Sequence, residues 1–115
     1  MGIVFDVHNH LGTNYQEKYY QKAIEIELKQ QELKYEKEKL IRLRYKDEDI
    51  GRYFVDFVIE SKIVLETKHV EFFKIKDYQQ VMSYLHRLHL KLAILVNFHT
   101  SRLLYKRILN SNISL

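Results

Sequence analysis

The chain has 115 residues, of which 46% are apolar and 30% charged, and it contains no cysteine. This length fits one hydrophobic core, so we expect residues 1–115 to form a single domain. The absence of cysteine excludes disulfide bonds and thiolate metal sites, and it fits a reducing, cytoplasmic location. No apolar run approaches the roughly 20 residues of a membrane-spanning helix. The start, MGIVFDVH, lacks the pattern of a signal peptide.

Positive charge is concentrated in the last third of the chain. The net charge of +4 divides into −2 for residues 1–73 and +6 for residues 74–115, which contain 7 Lys/Arg and 1 Asp. Basic segments attract the phosphate backbone, so residues 74–115 are predicted to contact nucleic acid. The alternative is that these side chains only keep a small domain soluble.

Two helices are predicted at the beginning of the chain. Apolar residues that recur every fourth position favour a first helix over residues 3–11. A second helix is predicted over residues 16–33, because Tyr20, Ile24 and Leu28 form an apolar stripe on one side of it. This stripe should face the hydrophobic core.

Three strands are predicted to follow as a meander. Charged and apolar residues alternate over residues 36–45, as they do in a half-exposed strand. Residues 51–59 and 62–69 are rich in β-branched and aromatic residues and should form a hairpin. Both contain continuous apolar runs, which indicate that both faces of the sheet are covered there. The runs are Tyr53-Phe54-Val55 and Ile63-Val64-Leu65.

The last predicted elements are a helix over residues 76–89, a buried strand over residues 91–98 and an edge strand over residues 102–109. Short turns make the meander antiparallel, whereas the intervening helix makes the buried strand parallel to a meander strand. The predicted fold is therefore an α/β domain with a mixed central sheet flanked by helices. An unpaired sheet edge at residues 102–109 would favour a homodimer or another protein contact.

Three acidic residues stand at positions that packing does not explain. Asp56 interrupts an apolar strand, Glu66 follows an apolar run, and Glu17 lies on the apolar stripe of the second helix. Two carboxylates about 4 Å apart repel by roughly 4 kcal/mol at an effective dielectric constant of about 20. A proton, a basic side chain or a cation must offset this repulsion. Oxygen ligands without cysteine favour Mg²⁺, Mn²⁺ or Ca²⁺ over zinc.

Whether Asp56 and Glu66 meet depends on the turn between their strands. A two-residue turn at Glu60-Ser61 would place the two acids on opposite faces of the hairpin. A three-residue loop, Glu60-Ser61-Lys62, would pair Asp56 with Glu66. A metal site therefore requires an odd loop or a bulge. Lys68 shares the face of Glu66, because the two are two residues apart on a strand.

Each acid can also be explained by a structural role that involves neither catalysis nor metal binding. Asn14-x-x-Glu17 can be a helix capping box, and Asp77-x-x-Gln80 can be the same device at the next helix. Glu66 can belong to the polar face of an ordinary strand. Under these interpretations the protein is a small structural domain whose acids are solvated.

Five segments nevertheless stand in a characteristic order along the chain. They are DVHNHLGTNYQEKYY at 6–20, YFVD at 53–56, VLETK at 64–68, QVMSYL at 80–85 and LVNF at 95–98. In order and spacing they resemble the GxxExxY family of the PD-(D/E)XK nuclease superfamily: its opening signature, its aspartate strand, its ExK strand, its QxxxYL helix and its closing LxNF strand. Asn14 replaces the glycine that gives the family its name, and Val55 replaces the proline of the PD motif.

The resemblance implies a restriction-endonuclease-like core and a metal-dependent activity on phosphodiester bonds. It implies that Asp56 and Glu66 bind Mg²⁺ or Mn²⁺ with help from the Thr67 carbonyl. It also implies that Glu17 is a further ligand, direct or through water, or that it assists the catalytic base.

The resemblance implies two further catalytic residues beside Glu17, Asp56 and Glu66. Lys68 would orient the attacking water and stabilise negative charge in the transition state. Gln80 would steady the region of Lys68 or the scissile phosphate.

Three functions follow from these observations. The first is a Mg²⁺-dependent nuclease that acts on DNA or RNA. The second is a catalytically silent module with the nuclease fold, which binds nucleic acid or a protein partner. The third is the structural domain with solvated acids, which requires Glu17, Asp56 and Glu66 to lie apart.

Overall fold

The computed structural model describes residues 2–112 of the chain. The helices are α1 (Gly2–Leu11), α2 (Glu17–Gln30) and α3 (Ile75–Leu88), and the strands are β1 (Tyr35–Tyr45), β2 (Glu48–Ile59), β3 (Ile63–Lys68), β4 (Leu92–Asn97) and β5 (Leu104–Leu109). Each element overlaps the segment predicted for it from the sequence. None of the helices within residues 2–112 is long and apolar enough to cross a membrane.

The strands form one mixed sheet in the order β1-β2-β3-β4-β5. The first three strands are an antiparallel meander, β4 runs parallel to β3, and β5 is antiparallel to β4. Helix α3 makes the connection between the parallel pair, which a short turn could not make. The predicted mixed sheet, its antiparallel meander and its edge strand are therefore confirmed.

Helices cover both faces of the sheet, each over its own hydrophobic cluster. The α1/α2 cluster includes Tyr20, Ile24 and Leu28, each at most 1% exposed, and this confirms the stripe predicted for α2. The α3 cluster on the opposite face includes Val81 and Leu85. The sheet thus lies between two helical layers, as in other α/β folds.

The β1–β2 hairpin extends past the point where β2 pairs with β3. That pairing covers Phe57–Ile59, and the preceding residues of β2 diverge from β3. Tyr53 is 39% exposed and Phe54 is 53% exposed, whereas Val55 is fully buried. The prediction that both faces are covered is therefore wrong for Tyr53 and Phe54, because their segment of β2 pairs with β1 but not with β3.

Helices α2 and α3 do not begin with the capping boxes that the sequence allows. Gln16 is the N-cap of α2, so Asn14 and Glu17 do not form a box, and Glu17 is the first helical residue. The N-cap of α3 is Lys74, whose amide donates to Asp77 Oδ2 at 2.9 Å. Asp77 is thus an acceptor three residues inside the helix, not its cap residue.

Candidate active site

The loop at residues 60–62 decides where the two strand acids lie. It has three residues, between the end of β2 and the start of β3. It places Phe57 opposite Leu65, an odd register that directs Asp56 toward Glu66, although the strand pairing itself ends at Phe57. The odd loop that the sequence analysis requires for a shared site is therefore confirmed.

Strand β2 departs from regular alternation at Asp56. Val55 packs in the α3 cluster and Phe57 in the α1/α2 cluster, although residues two apart share a face in a regular strand. Across the hairpin, Glu38 has a left-handed φ of 53°. Local irregularities of this kind re-aim side chains, and here the Asp56 carboxylate is directed toward β3.

Hydrogen bonds join Asp56, Glu66 and Thr67 into one cluster. The Asp56 amide donates to Glu66 Oε1 at 2.8 Å, and the Thr67 amide donates to Asp56 Oδ2 at 2.9 Å. The Thr67 hydroxyl donates to the same Oδ2 at 3.2 Å. Each strand therefore orients the carboxylate of the other through its own backbone.

Gln21 on α2 supports this cluster from the helical layer. Its Nε2 donates to Thr67 Oγ1 at 2.9 Å in a buried hydrogen bond. Since Thr67 in turn donates to Asp56, a chain of hydrogen bonds runs from α2 to the carboxylate. The sequence analysis missed Gln21. Its position four residues after Glu17, on the same face of the helix, is the signal that could have identified it.

Glu17 lies half-buried at the start of α2 and shares the electrostatic environment of the strand acids. Burial and the Asp56 carboxylate raise the pKa of Glu17 to about 7, while Lys68 and His69 oppose the shift. The charge of Glu17, in the first turn of α2, is therefore coupled to those of Asp56 and Lys68.

Glu66 is only 4% exposed and is the most strongly perturbed acid of the group. Burial and the Asp56 carboxylate raise the pKa of Glu66 to about 8, against the opposing effects of the Asp56 amide and Lys68. A buried carboxylate beside another carboxylate favours a bound proton or a bound cation. At neutral pH, Glu66 therefore favours either a bound proton or a neighbouring cation.

The Lys68 ammonium forms an ion pair with Asp77, an acid that the sequence analysis considered only as a possible helix cap. Lys68 Nζ lies 3.7 Å from Asp77 Oδ1, and the other oxygen of Asp77 accepts the Lys74 amide. Gln80 lines the same cleft as Lys68, but the ion-pair partner is Asp77. Asp77 was missed because its spacing to Gln80 is typical of a capping box.

Tyr84 of α3 approaches the acids from the opposite helical layer. Burial, followed by the charges of Glu66 and Asp56, raises the pKa of the Tyr84 phenol above its ordinary value. The Tyr53 ring of β2 lies 6.1 Å from the Tyr84 ring. Tyr84 therefore stays neutral next to the carboxylates.

The loop before α2 is anchored to the site by two ring side chains. The Tyr20 hydroxyl donates to the Gly12 carbonyl at 2.5 Å, and His69 Nε2 lies 2.8 Å from the Thr13 carbonyl oxygen. Gly12 has a φ of 72°, a conformation that favours glycine. These contacts fix the approach of the chain to Glu17.

The sequence matches a family model over nearly its whole length. The model describes the PD-(D/E)XK nuclease superfamily and matches residues 1–108. The chain belongs to the PD-(D/E)XK nuclease superfamily. This membership, together with a five-stranded mixed sheet flanked by three helices within residues 2–112, confirms the predicted restriction-endonuclease-like fold.

Among solved structures, the crystal structure of SSO0001 is similar to this chain, with a TM-score of 0.61 and 21% sequence identity. The similarity covers 81% of this chain and 50% of that chain, so the chain spans half the length of the protein it matches. At this identity the similarity concerns the fold alone. No curated protein matches the chain.

Membership of the PD-(D/E)XK superfamily implies a divalent metal, and the donors present suit one. Asp56 and Glu66 supply carboxylate oxygens and Thr67 a carbonyl oxygen, which are the ligands that Mg²⁺ and Mn²⁺ prefer. The repulsion between two partly or fully buried carboxylates also favours a cation between them. In the described part of the chain, no group of three or more His, Cys, Asp or Glu residues is arranged to hold a metal.

Proposed function

We propose that this chain is a nuclease that hydrolyses phosphodiester bonds of nucleic acid with Mg²⁺ or Mn²⁺. Superfamily membership supports the nuclease class and a nucleic-acid substrate. The observation that carries the proposal is the hydrogen-bonded cluster of Asp56, Glu66 and Thr67 where β2 and β3 diverge. It holds two carboxylates together two residues from Lys68 on β3.

The proposed metal ligands are Asp56, Glu66 and the Thr67 carbonyl, with Glu17 as a further ligand, direct or through water. When bound, the metal would lower the pKa of water and neutralise charge on the phosphate. The backbone amides of Asp56 and Thr67 keep the two strand carboxylates oriented before substrate arrives. Such preorganisation lowers the cost of forming the charged transition state.

Lys68 is proposed to orient the attacking water and to stabilise negative charge on the phosphate. Its ion pair with Asp77 at 3.7 Å holds the ammonium at the end of β3. Gln80 is proposed to act beside the scissile phosphate, because it lines the same cleft as Lys68. In this proposal Asp77 is a positioning residue, since it acts through Lys68.

Several finer features belong to the same proposal. We place the chain in the GxxExxY family, because Glu17 and Tyr20 stand at the two positions after Asn14 that its opening signature names, and we treat residues 1–115 as a single domain. Nucleic acid would bind through residues 74–115.

A homodimer through β5 is supported by its exposed apolar side chains. They are Leu104, Tyr105 and Leu109, which are 42%, 40% and 53% exposed.

The test is a cleavage assay on single- and double-stranded DNA and RNA with Mg²⁺ or Mn²⁺. We expect Asp56→Ala and Lys68→Ala to lower cleavage by about 100-fold or more, because each removes transition-state stabilisation. Asp6→Ala, which removes an exposed aspartate of α1, is the matched control and should cleave like the wild type. Circular dichroism would show whether the variants keep their fold. Absence of wild-type cleavage on every substrate would contradict the proposal.

The second candidate is a catalytically silent module that binds nucleic acid or a protein partner. It is favoured by one observation: within residues 2–112 no three acids are arranged to hold a metal. The raised pKa of Glu66 also allows the site to hold a proton in place of a cation. In the same assay this candidate predicts binding with steep salt dependence and no turnover.

A further inference from the structure

A cleft of about 400 Å³ lies beside Lys68 at the amino end of α3. Lys74, Lys76, Phe72 and Gln80 line it together with Lys68. This volume falls in the range of small-ligand pockets, about 300–1,000 Å³. A ligand in the cleft would therefore lie next to the proposed catalytic lysine.

The cleft carries surplus positive charge. Lys74 and Lys76 are exposed, and neither takes part in the ion pairs found among residues 2–112. The acid in the cleft, Asp77, is already engaged by Lys68 and by the Lys74 amide. Two lysine ammonium groups thus remain to bind an anion such as a backbone phosphate.

Phe72 gives the cleft an aromatic ring that is not packed in the hydrophobic core. The neighbouring Phe73 packs against the α3 cluster and lies 6.0 Å from the Tyr78 ring. Phe72, in contrast, is 63% exposed. An exposed ring beside cationic side chains is the combination that binds unpaired bases and their phosphates.

Asn97 anchors the loop that carries Phe72 through hydrogen bonds to the backbone of Val70. This buried side chain accepts the Val70 amide through Oδ1 at 3.2 Å and donates through Nδ2 to the Val70 carbonyl at 2.7 Å. The Phe98 amide donates to the Lys68 carbonyl at 2.9 Å. The cleft is therefore largely formed before a ligand binds, which lowers the cost of binding.

We propose that this cleft binds one nucleotide of a single-stranded nucleic acid, next to the scissile phosphate. Lys74 and Lys76 contact the two backbone phosphates that flank this nucleotide, and Phe72 stacks on its base. The inference rests on the proposed nuclease function and adds a preference for unpaired strands, because a base paired inside a duplex cannot stack on a side chain.

The first test measures the salt dependence of binding to a short fluorescein-labelled single-stranded oligonucleotide in EDTA, by fluorescence anisotropy. The double variant Lys74→Gln/Lys76→Gln should reduce the slope of log K against log salt by about 1.4, from two lost phosphate contacts. The matched control is Lys22→Gln/Lys29→Gln, which removes two exposed charges from α2, outside residues 74–115. The control should leave the slope close to that of the wild type.

The second test concerns the base. Phe72→Ala should weaken binding of the single strand about tenfold and should change binding of the matching duplex much less. Phe72→Trp should restore the affinity for the single strand. Tyr45→Ala, which removes an exposed ring from the far end of β1, is the control and should bind like the wild type.

Three results would overturn the inference. The first is that the wild type binds neither the single strand nor the duplex at low salt. The second is an equal loss of salt slope in both double variants, and the third is normal single-strand binding by Phe72→Ala. EDTA removes the metal that cleavage requires, so the binding measurements test the cleft independently of the nuclease proposal. Loss of binding in the cleft variants without wild-type cleavage would contradict the nuclease alone. Cleavage that depends on Asp56 with normal binding in those variants would contradict the cleft alone.

Discussion

The Thr67 hydroxyl connects α2 to the Asp56 carboxylate, and it is buried. Thr67→Val keeps the shape of the side chain but leaves the Gln21 amide without its acceptor. We expect the free energy of unfolding to fall by about 1–3 kcal/mol, the cost of an unsatisfied buried polar group. Urea denaturation followed by circular dichroism measures this change.

Thr67→Ser is the control for this prediction, because it retains the hydroxyl and loses only a methyl group. It should lose about 1 kcal/mol or less. If Thr67→Val unfolds at the same urea concentration as Thr67→Ser, the hydroxyl does not support the site as described.

The raised pKa of Glu66 predicts how stability changes with pH when metal is absent. Its pKa rises from 4.5 to about 8 on folding, so the folded state binds the proton more tightly. The resulting stability is fully present below pH 4.5 and is lost as the pH rises through about 8. Glu17, whose pKa rises to about 7, contributes in the same direction.

Glu66→Gln should therefore flatten the decline in melting temperature between acidic and alkaline pH in EDTA. The glutamine oxygen can still accept the Asp56 amide, so the comparison removes the charge and little else. Melting curves recorded across this pH range measure the effect. Parallel pH profiles for the wild type and Glu66→Gln would show that Glu66 does not carry the raised pKa.

Residues of the candidate site differ in how far the sequence could predict them. Asp56 and Glu66 were visible because acids are unexpected in apolar strands. Gln21 and Asp77 were not, because their roles depend on partners that only the folded chain brings near. Gln21 meets Thr67 across 46 residues, and Asp77 meets Lys68 through the turn that leads into α3.

At the scale of elements, the loop between β2 and β3 sets the register on which the site depends. Glu60 and Ser61 both have left-handed φ values, of 54° and 53°. This conformation costs a residue with a Cβ roughly 1–2 kcal/mol, and glycine escapes that cost. Ser61→Gly should therefore raise the free energy of unfolding by about 0.5–1 kcal/mol, and Ser61→Val should lower it.

Thermal or urea denaturation of the two Ser61 variants tests the conformation of this loop. Ser61 is exposed, so packing should contribute little to either change. A destabilised glycine variant, or a valine variant as stable as the wild type, would contradict a left-handed Ser61 and with it the three-residue loop.

The elements themselves were predictable because their hydrophobic period is a local property of the sequence. Periodicity placed the α2 stripe and the β4 strand where the structure has them. It failed at Tyr53 and Phe54, because an apolar run does not reveal where a neighbouring strand diverges. The pairing of β2 with β3 stops at Phe57, and only the tertiary fold determines that point.

At the scale of the whole molecule, the site lies where β2 separates from β3 between the two helical layers. In the proposed site, the first turn of α2 supplies Glu17, the strands supply Asp56, Glu66 and Lys68, and the start of α3 supplies Asp77. The odd register of the hairpin and the position of α2 both have to be correct for these groups to meet. This is why the sequence could state the candidate site only as a condition on the hairpin register and on the position of α2.

Calorimetric titration of the protein with Mn²⁺ tests the central claim of a divalent-metal site most directly. We expect saturable binding by the wild type and by the Asp6→Ala control. Asp56→Asn removes one carboxylate while keeping its shape, and it should abolish that binding with the circular dichroism spectrum unchanged. Equal Mn²⁺ binding by the wild type and Asp56→Asn, or no binding by the wild type, would contradict the metal site at Asp56 and Glu66.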